Sequence, residues 1–124
     1  MAGELVPLVM IPRYTTYAGA ADYATVGMDV TEYDSAILNI WRGEIVVNSA
    51  SPTPAFKVNC EESTDQNSWS TCDGTTADTA VAQGQEKQFV PALNKRWFRV
   101  RITVAGDLPV VTCWAVGYLE QRQR

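Results

Sequence analysis

The side chains able to attack a substrate in this chain include Ser35, Ser63, Ser68 and the three cysteines Cys60, Cys72 and Cys113, and there is no histidine anywhere to serve them. A serine or thiol at its ordinary pKa is a weak nucleophile until a neighbouring base takes its proton, and imidazole is the usual base. Triad chemistry therefore has no second member. Glu61 and Glu62 are adjacent. On a strand such neighbours point to opposite faces, so they cannot flank one glycosidic bond. Asp65, Asn67 and Asp73 could in principle line an oxygen-ligand cation site. Short Asx side chains in turn-rich segments more commonly cap backbone amides, and that is the expectation here. Two thiols without histidine do not close a four-ligand zinc site. The glycines are scattered singly, so no phosphate-cradling loop is expected. The chain reads as non-enzymatic, with no cofactor and no metal.

Four tryptophans stand out: Trp41, Trp69, Trp97 and Trp114. Trp69 and Trp114 are expected in the core. Trp41 and Trp97 fall on the polar phase of their segments and are the candidates for exposure, either as sugar-stacking platforms or as anchors of a subunit interface. Trp97 stands among Lys95, Arg96, Arg99 and Arg101. That setting suits an acidic neighbour.

The segments that must carry these residues alternate with period two. Ala36, Leu38 and Ile40 share one face, opposite Ile37, Asn39 and Trp41; Phe56, Val58 and Cys60 alternate with Lys57, Asn59 and Glu61; Phe98, Val100, Ile102 and Val104 alternate with Arg99, Arg101 and Thr103. Val110–Leu119 is apolar on both phases, the pattern of a strand covered on both faces. Thr25–Thr31 is a weaker strand candidate. Turn-forming clusters at 49–54, 63–68, 72–79 and 105–109 separate the segments. Short alternating strands punctuated by turns predict an all-β chain: an antiparallel β-sandwich or jelly roll.

Residues 1–22 read differently, as an extended N-terminal arm preceding a single sandwich domain over 23–124. Pro7 and Pro12 each remove a ladder donor, which argues against a central strand. Leu5, Val6, Leu8, Val9, Met10 and Ile11, with Tyr14 beyond them, are too apolar for a free tail. Either this chain's own sandwich or a neighbouring subunit must cover them.

At 124 residues, the chain has the length of one domain, and its 46% apolar content suffices for a core. No apolar run approaches a membrane span, and the N-terminus does not read as a secretory leader, so no membrane partner is expected. An odd cysteine count without such a leader points to free thiols made in a reducing compartment. Cys60 and Cys72 could still face each other across a hairpin. Ten acids against two bases lie between Asp22 and Asp78, and seven bases against three acids between Val81 and Arg124. These sets are either ordinary solvated surface or the two poles of a molecule that meets copies of itself. A net charge of −4 disfavours a nucleic-acid partner.

Three stretches carry a resemblance: MDVTEYDSAILNIWRG (Met28–Gly43), FKVNCEESTDQNSW (Phe56–Trp69) and KRWFRVRITVAGDLPVVTCWAVGYLE (Lys95–Glu120). Together they resemble small β-sandwich proteins of tailed-bacteriophage virions: capsid decoration (cement) proteins, or minor head and neck components. The resemblance implies a virion protein made in the host cytoplasm, without enzymatic activity, that binds the major capsid protein as a homo-oligomer, with a trimer favoured. The expected contact residues are Leu5, Val6, Leu8, Val9, Met10, Ile11 and Tyr14 of the arm and the patch of Trp41, Arg96, Trp97, Arg99 and Arg101. The competing class is a carbohydrate-binding sandwich, in which Trp41 and Trp97 would stack on sugar rings.

Overall fold

The computed structural model describes residues 4–122. Within them lie ten strands and no helix: β1 (Leu5–Ala18), β2 (Ala21–Ala24), β3 (Met28–Asp29), β4 (Tyr33–Arg42), β5 (Ala55–Ser63), β6 (Ser70–Thr71), β7 (Thr79–Ala80), β8 (Glu86–Phe89), β9 (Trp97–Ala105) and β10 (Val110–Gln121). One sheet runs β1–β10–β4–β8; the other runs β2–β9–β5–β6, with β3 also on β9 and β7 also on β5. Every pairing is antiparallel. No helix among the described residues is long and apolar enough to cross a membrane.

Alternation explains why the sheets face each other. Phe98, Val100, Ile102 and Val104 of β9 and Phe56, Val58 and Cys60 of β5 are buried. They share one core with Ala36, Leu38 and Ile40 of β4 and Val111, Cys113, Ala115 and Leu119 of β10. Burying each large aliphatic or aromatic side chain contributes about 1.5–3 kcal/mol over leaving it in water. The chain is thus a two-layered all-β sandwich, as its alternation predicts. All three thiols are free and buried within it.

The expected arm is not an arm over the residues described. Residues 5–18 form the long edge strand β1, which pairs with β10 from Leu5↔Glu120 to Ala18↔Val110. Leu8 and Ile11 are 3% and 2% exposed, and Val6 and Met10 pack against the same core. Of the two covers considered for this apolar segment, its own sandwich provides one. Pro7 and Pro12 fit because an edge strand needs no outward ladder donor. The register shifts between Val9 and Ile11, and again between Ile11 and Thr15. Tyr14 lies in the second irregularity at φ 63°. After β1 the chain crosses to the other sheet through Gly19, whose φ of 104° suits glycine. The Tyr23 hydroxyl, 2.8 Å from the carbonyls of Ala18 and Gly19, ties this corner down. On β10, Gly117 lies so close to β4 that a Cβ there would collide with the carbonyl of Ile37.

Two further expectations shift. The weak strand at Thr25–Thr31 shrinks to Met28–Asp29, because the Asp29 carboxylate accepts the Thr31 amide and hydroxyl and turns the chain. Beyond Trp114, strand β10 is covered on one face only. Its inward residues are buried, whereas Val116 is half-buried and Tyr118 is 46% exposed on the other face.

Candidate functional site: two outer faces of opposite character

The outer face of the six-stranded sheet carries the arginines singled out above. Arg99 and Arg101 alternate outward on β9, opposite Glu61 and Asn59 of β5. Arg99 Nε donates to Glu61 Oε1 at 2.8 Å, and Arg101 Nε to Glu61 Oε2 at 3.2 Å. Asn59 Nδ2 donates to the same Oε2 at 3.0 Å, and Thr71 Oγ1 donates to Asn59 Oδ1. Arg101 also reaches Asp22 at 3.4 Å and Asp78 at 3.7 Å. Arg99 lies over the Trp69 ring at 4.3 Å, Arg96 over the Trp97 ring at 4.9 Å, and Arg96 pairs with Asp29 at 3.1 Å. Thr31, then Arg96, hold the Asp29 carboxyl below the usual carboxylate range by hydrogen bonding to its charged form.

These contacts correct the idea of a basic patch awaiting an acidic neighbour. The acid-rich stretch supplies Asp22, Asp29, Glu61 and Asp78, and the base-rich stretch supplies Arg96, Arg99 and Arg101; the fold lays one set on the other. The charge segregation is one of sequence, and on this face it is cancelled in space. Glu61 is itself buried under its arginines, although its strand phase points outward.

The outer face of the four-stranded sheet is different. Reading across in register, Pro7, Tyr118 and Ile37 form one row, and Val9, Val116 and Asn39 the next. Leu5 and Val9 are 52% and 58% exposed. Together they make an open apolar strip, with a groove of about 470 Å³ lined by Pro7, Val9, Pro12, Arg13, Val116 and Tyr118. At one end, Trp41 and Trp114, directly paired across β4 and β10, stack at 4.4 Å with 17° between planes. Tyr14 meets Trp114 edge-on at 5.3 Å, and the Arg13 guanidinium lies 4.6 Å from the same ring. Trp114 Nε1 donates to Glu86 at 3.4 Å. So enclosed, Trp114 keeps 8% of its surface exposed, while Tyr14 projects with 71%.

The predicted contact residues therefore divide. Leu5, Val9, Tyr14 and Trp41 gather on this apolar face; Val6, Leu8, Met10 and Ile11 serve the core; Arg96, Trp97, Arg99 and Arg101 lie across the sandwich on the polar face. Trp41 and Trp97 are half-buried rather than open. Sequence reasoning missed Pro7, Arg13, Ile37, Val116 and Tyr118. The signal is present in the two-phase apolar pattern of Val110–Leu119, whose second apolar phase marks the open face and not a second cover. Trp69 is half-buried beneath Arg99 rather than in the core.

The remaining candidates resolve simply. The Asp65 carboxylate accepts the amides of Asn67 and Ser68 and the Ser63 hydroxyl, so it caps its own turn, and these bonds hold its pKa low. Asp73 accepts from Asn94 instead. Among the described residues, no group of three His, Cys, Asp or Glu side chains is gathered for a metal. Cys60 and Cys72 are neighbours across β5 and the chain beyond β6, joined by a 2.9 Å backbone bond from the Cys72 amide to the Cys60 carbonyl, yet remain thiols. Of the terminal arginines, Arg122 pairs with Asp34 at 3.5 Å, and Arg124 lies outside the described residues. No family model, curated protein or solved structure matches this chain at a significant level.

Proposed function

We propose that this chain is a non-enzymatic structural protein of a tailed-phage virion, of the capsid decoration (cement) kind, made in the host cytoplasm and bound to the major capsid protein of the head. The observation that carries this reading is the open apolar strip of Leu5, Pro7, Val9, Ile37, Val116 and Tyr118. Contiguous apolar surface of this kind on a folded domain marks a protein interaction site. The strand order lends support: β1–β10–β4–β8 facing β2–β9–β5–β6 is, in our reading, a jelly roll, an architecture common to viral capsid domains and lectins. The resemblance of its three long motifs to phage virion proteins points the same way. Neither nucleic acid nor membrane enters the mechanism. A decoration protein acts by mass action: it binds the assembled shell and not the free subunits, so occupancy stabilises the shell, and linked copies add avidity.

The test is binding to phage heads assembled without the protein, scored as copies retained per head. Wild-type protein is expected to saturate the heads, and Val9→Asp and Tyr118→Asp to lower occupancy at least tenfold at the same concentration. Heads left bare by wild-type protein would end the proposal.

The exposed Tyr14 ring, edge-on to the Trp114 that stacks on Trp41, favours a second reading, a carbohydrate-binding module, whether free-standing or displayed on a virion. Binding on a glycan array that is abolished by Tyr14→Ala and Trp41→Ala, but not by Trp97→Ala, would favour it over the first.

A further inference from the structure

We propose that the apolar face of the four-stranded sheet is closed by the same face of a second copy, through a two-fold axis crossing β10 at Gly117. The inference rests on reading this face as an interaction surface and names what occupies it: the strip joins two copies, and variants that disrupt it lower head occupancy by removing the avidity of the linked pair.

Charge distinguishes the two faces. Each arginine on the opposite face has an acidic partner in its own chain. On the apolar face, Arg13 stacks on Trp114 but makes no ion pair among the described residues, and neither does Glu120. These unpaired charges lie at opposite ends. Arg13 is at the Trp114 end, and Glu120 is six residues further along β10, about 20 Å away at the rise of an antiparallel strand. Glu86, the acid near Arg13, is engaged with the Trp114 indole, and Arg122 at the far end is engaged with Asp34.

The positions are symmetric about Gly117. An axis lying in the plane of the face and perpendicular to the strands exchanges position 114 with 120 and 116 with 118. It brings Arg13 of each copy toward Glu120 of the other. It also sets the small Val116 against the large Tyr118, and on β1 it sets Val9 against Pro7, their register partners. A self-complementary patch of this kind is what an isologous dimer requires. The alternative route to self-association, strand addition at the β1 edge, is obstructed by Pro7 and Pro12. Copies therefore meet through the face, not the edge.

The experiment is sedimentation velocity on the full chain at low ionic strength, from about 1 µM to about 1 mM, with circular dichroism as the folding control. Wild-type protein is expected to move from 13.7 kDa to twice that mass with rising concentration. Tyr118→Asp should stay monomeric. Arg13→Glu and Glu120→Arg should each weaken association at least tenfold, and the Arg13→Glu/Glu120→Arg double variant should restore it. Loss of the Arg13–Trp114 stack cannot produce that rescue. If Arg13→Glu fails to fold, Glu120→Arg against Glu120→Gln carries the test, with the charge reversal expected to be the more damaging.

A monomer throughout, a trimer, or a double variant no tighter than the singles would overturn the two-fold. The two proposals fail separately. A monomer that still coats heads removes the dimer and leaves the decoration reading standing; a dimer that leaves heads bare does the reverse.

Discussion

Glu61 shows how one residue can organise a face. Its two oxygens take two guanidinium donors and one amide, so truncation leaves Arg99 and Arg101 facing an empty site. Both arginines retain some access to water, with side chains 23% and 22% exposed, which limits the penalty. Glu61→Ala is expected to cost about 1–3 kcal/mol, measured by urea unfolding. The thiols give a pH-dependent counterpart. Burial pushes Cys60 and Cys113 up to about 12, and pushes Cys72 up as well. In the unfolded chain they ionise near 9.0. Above that pH the unfolded state releases protons that the folded state keeps. The thiol contribution to stability is therefore complete below about pH 9 and falls as pH rises toward 12. Cys113→Ala should make the alkaline slope of unfolding free energy shallower by up to about 1.4 kcal/mol per pH unit.

At the scale of the element, β1 and β10 decide most. Residues 1–22 read as an arm because two prolines, Pro7 and Pro12, and the apolar run over 5–11 hide the alternation. An edge strand tolerates both features, since only one side of its backbone is paired and its two faces meet different apolar surfaces. Leu8→Ala is expected to destabilise by about 2–5 kcal/mol in thermal or urea unfolding, as for a core leucine, whereas Val9→Ala, on the open face, should change stability by less than about 0.5 kcal/mol. Gly117→Ala should be among the most damaging single-methyl additions, because the added carbon meets backbone of β4 rather than a side chain able to turn away. Loss of cooperative unfolding in that variant is the expected result. Strand β8, with only Phe89 buried, and the two-residue strands β3, β6 and β7 carry too little alternation to be read from sequence; their partners define them.

For the molecule as a whole, β1 at one end of the chain pairs with β10 at the other, so the four-stranded sheet closes only when sequence-distant segments meet. Refolding is expected in milliseconds to seconds rather than microseconds, as one exponential phase seen alike by tryptophan fluorescence and circular dichroism. A microsecond phase carrying the full amplitude would contradict this. The same closure joins the acid-rich and base-rich halves. Sequence alone left open whether those halves formed poles for other molecules, because it does not say which strands become neighbours.

Local chemistry was legible from the residues themselves: the all-β class, the inward rows of β4, β5 and β9, the turns, the free thiols and the lack of any histidine-based site follow from residue type and period two, which act over a few residues. Which face of the sandwich stays open, which arginines find carboxylates, and whether an apolar first segment covers its own core depend on strand order across the sheets. That order is set by long-range pairing and the burial it achieves, so only the tertiary structure could decide it.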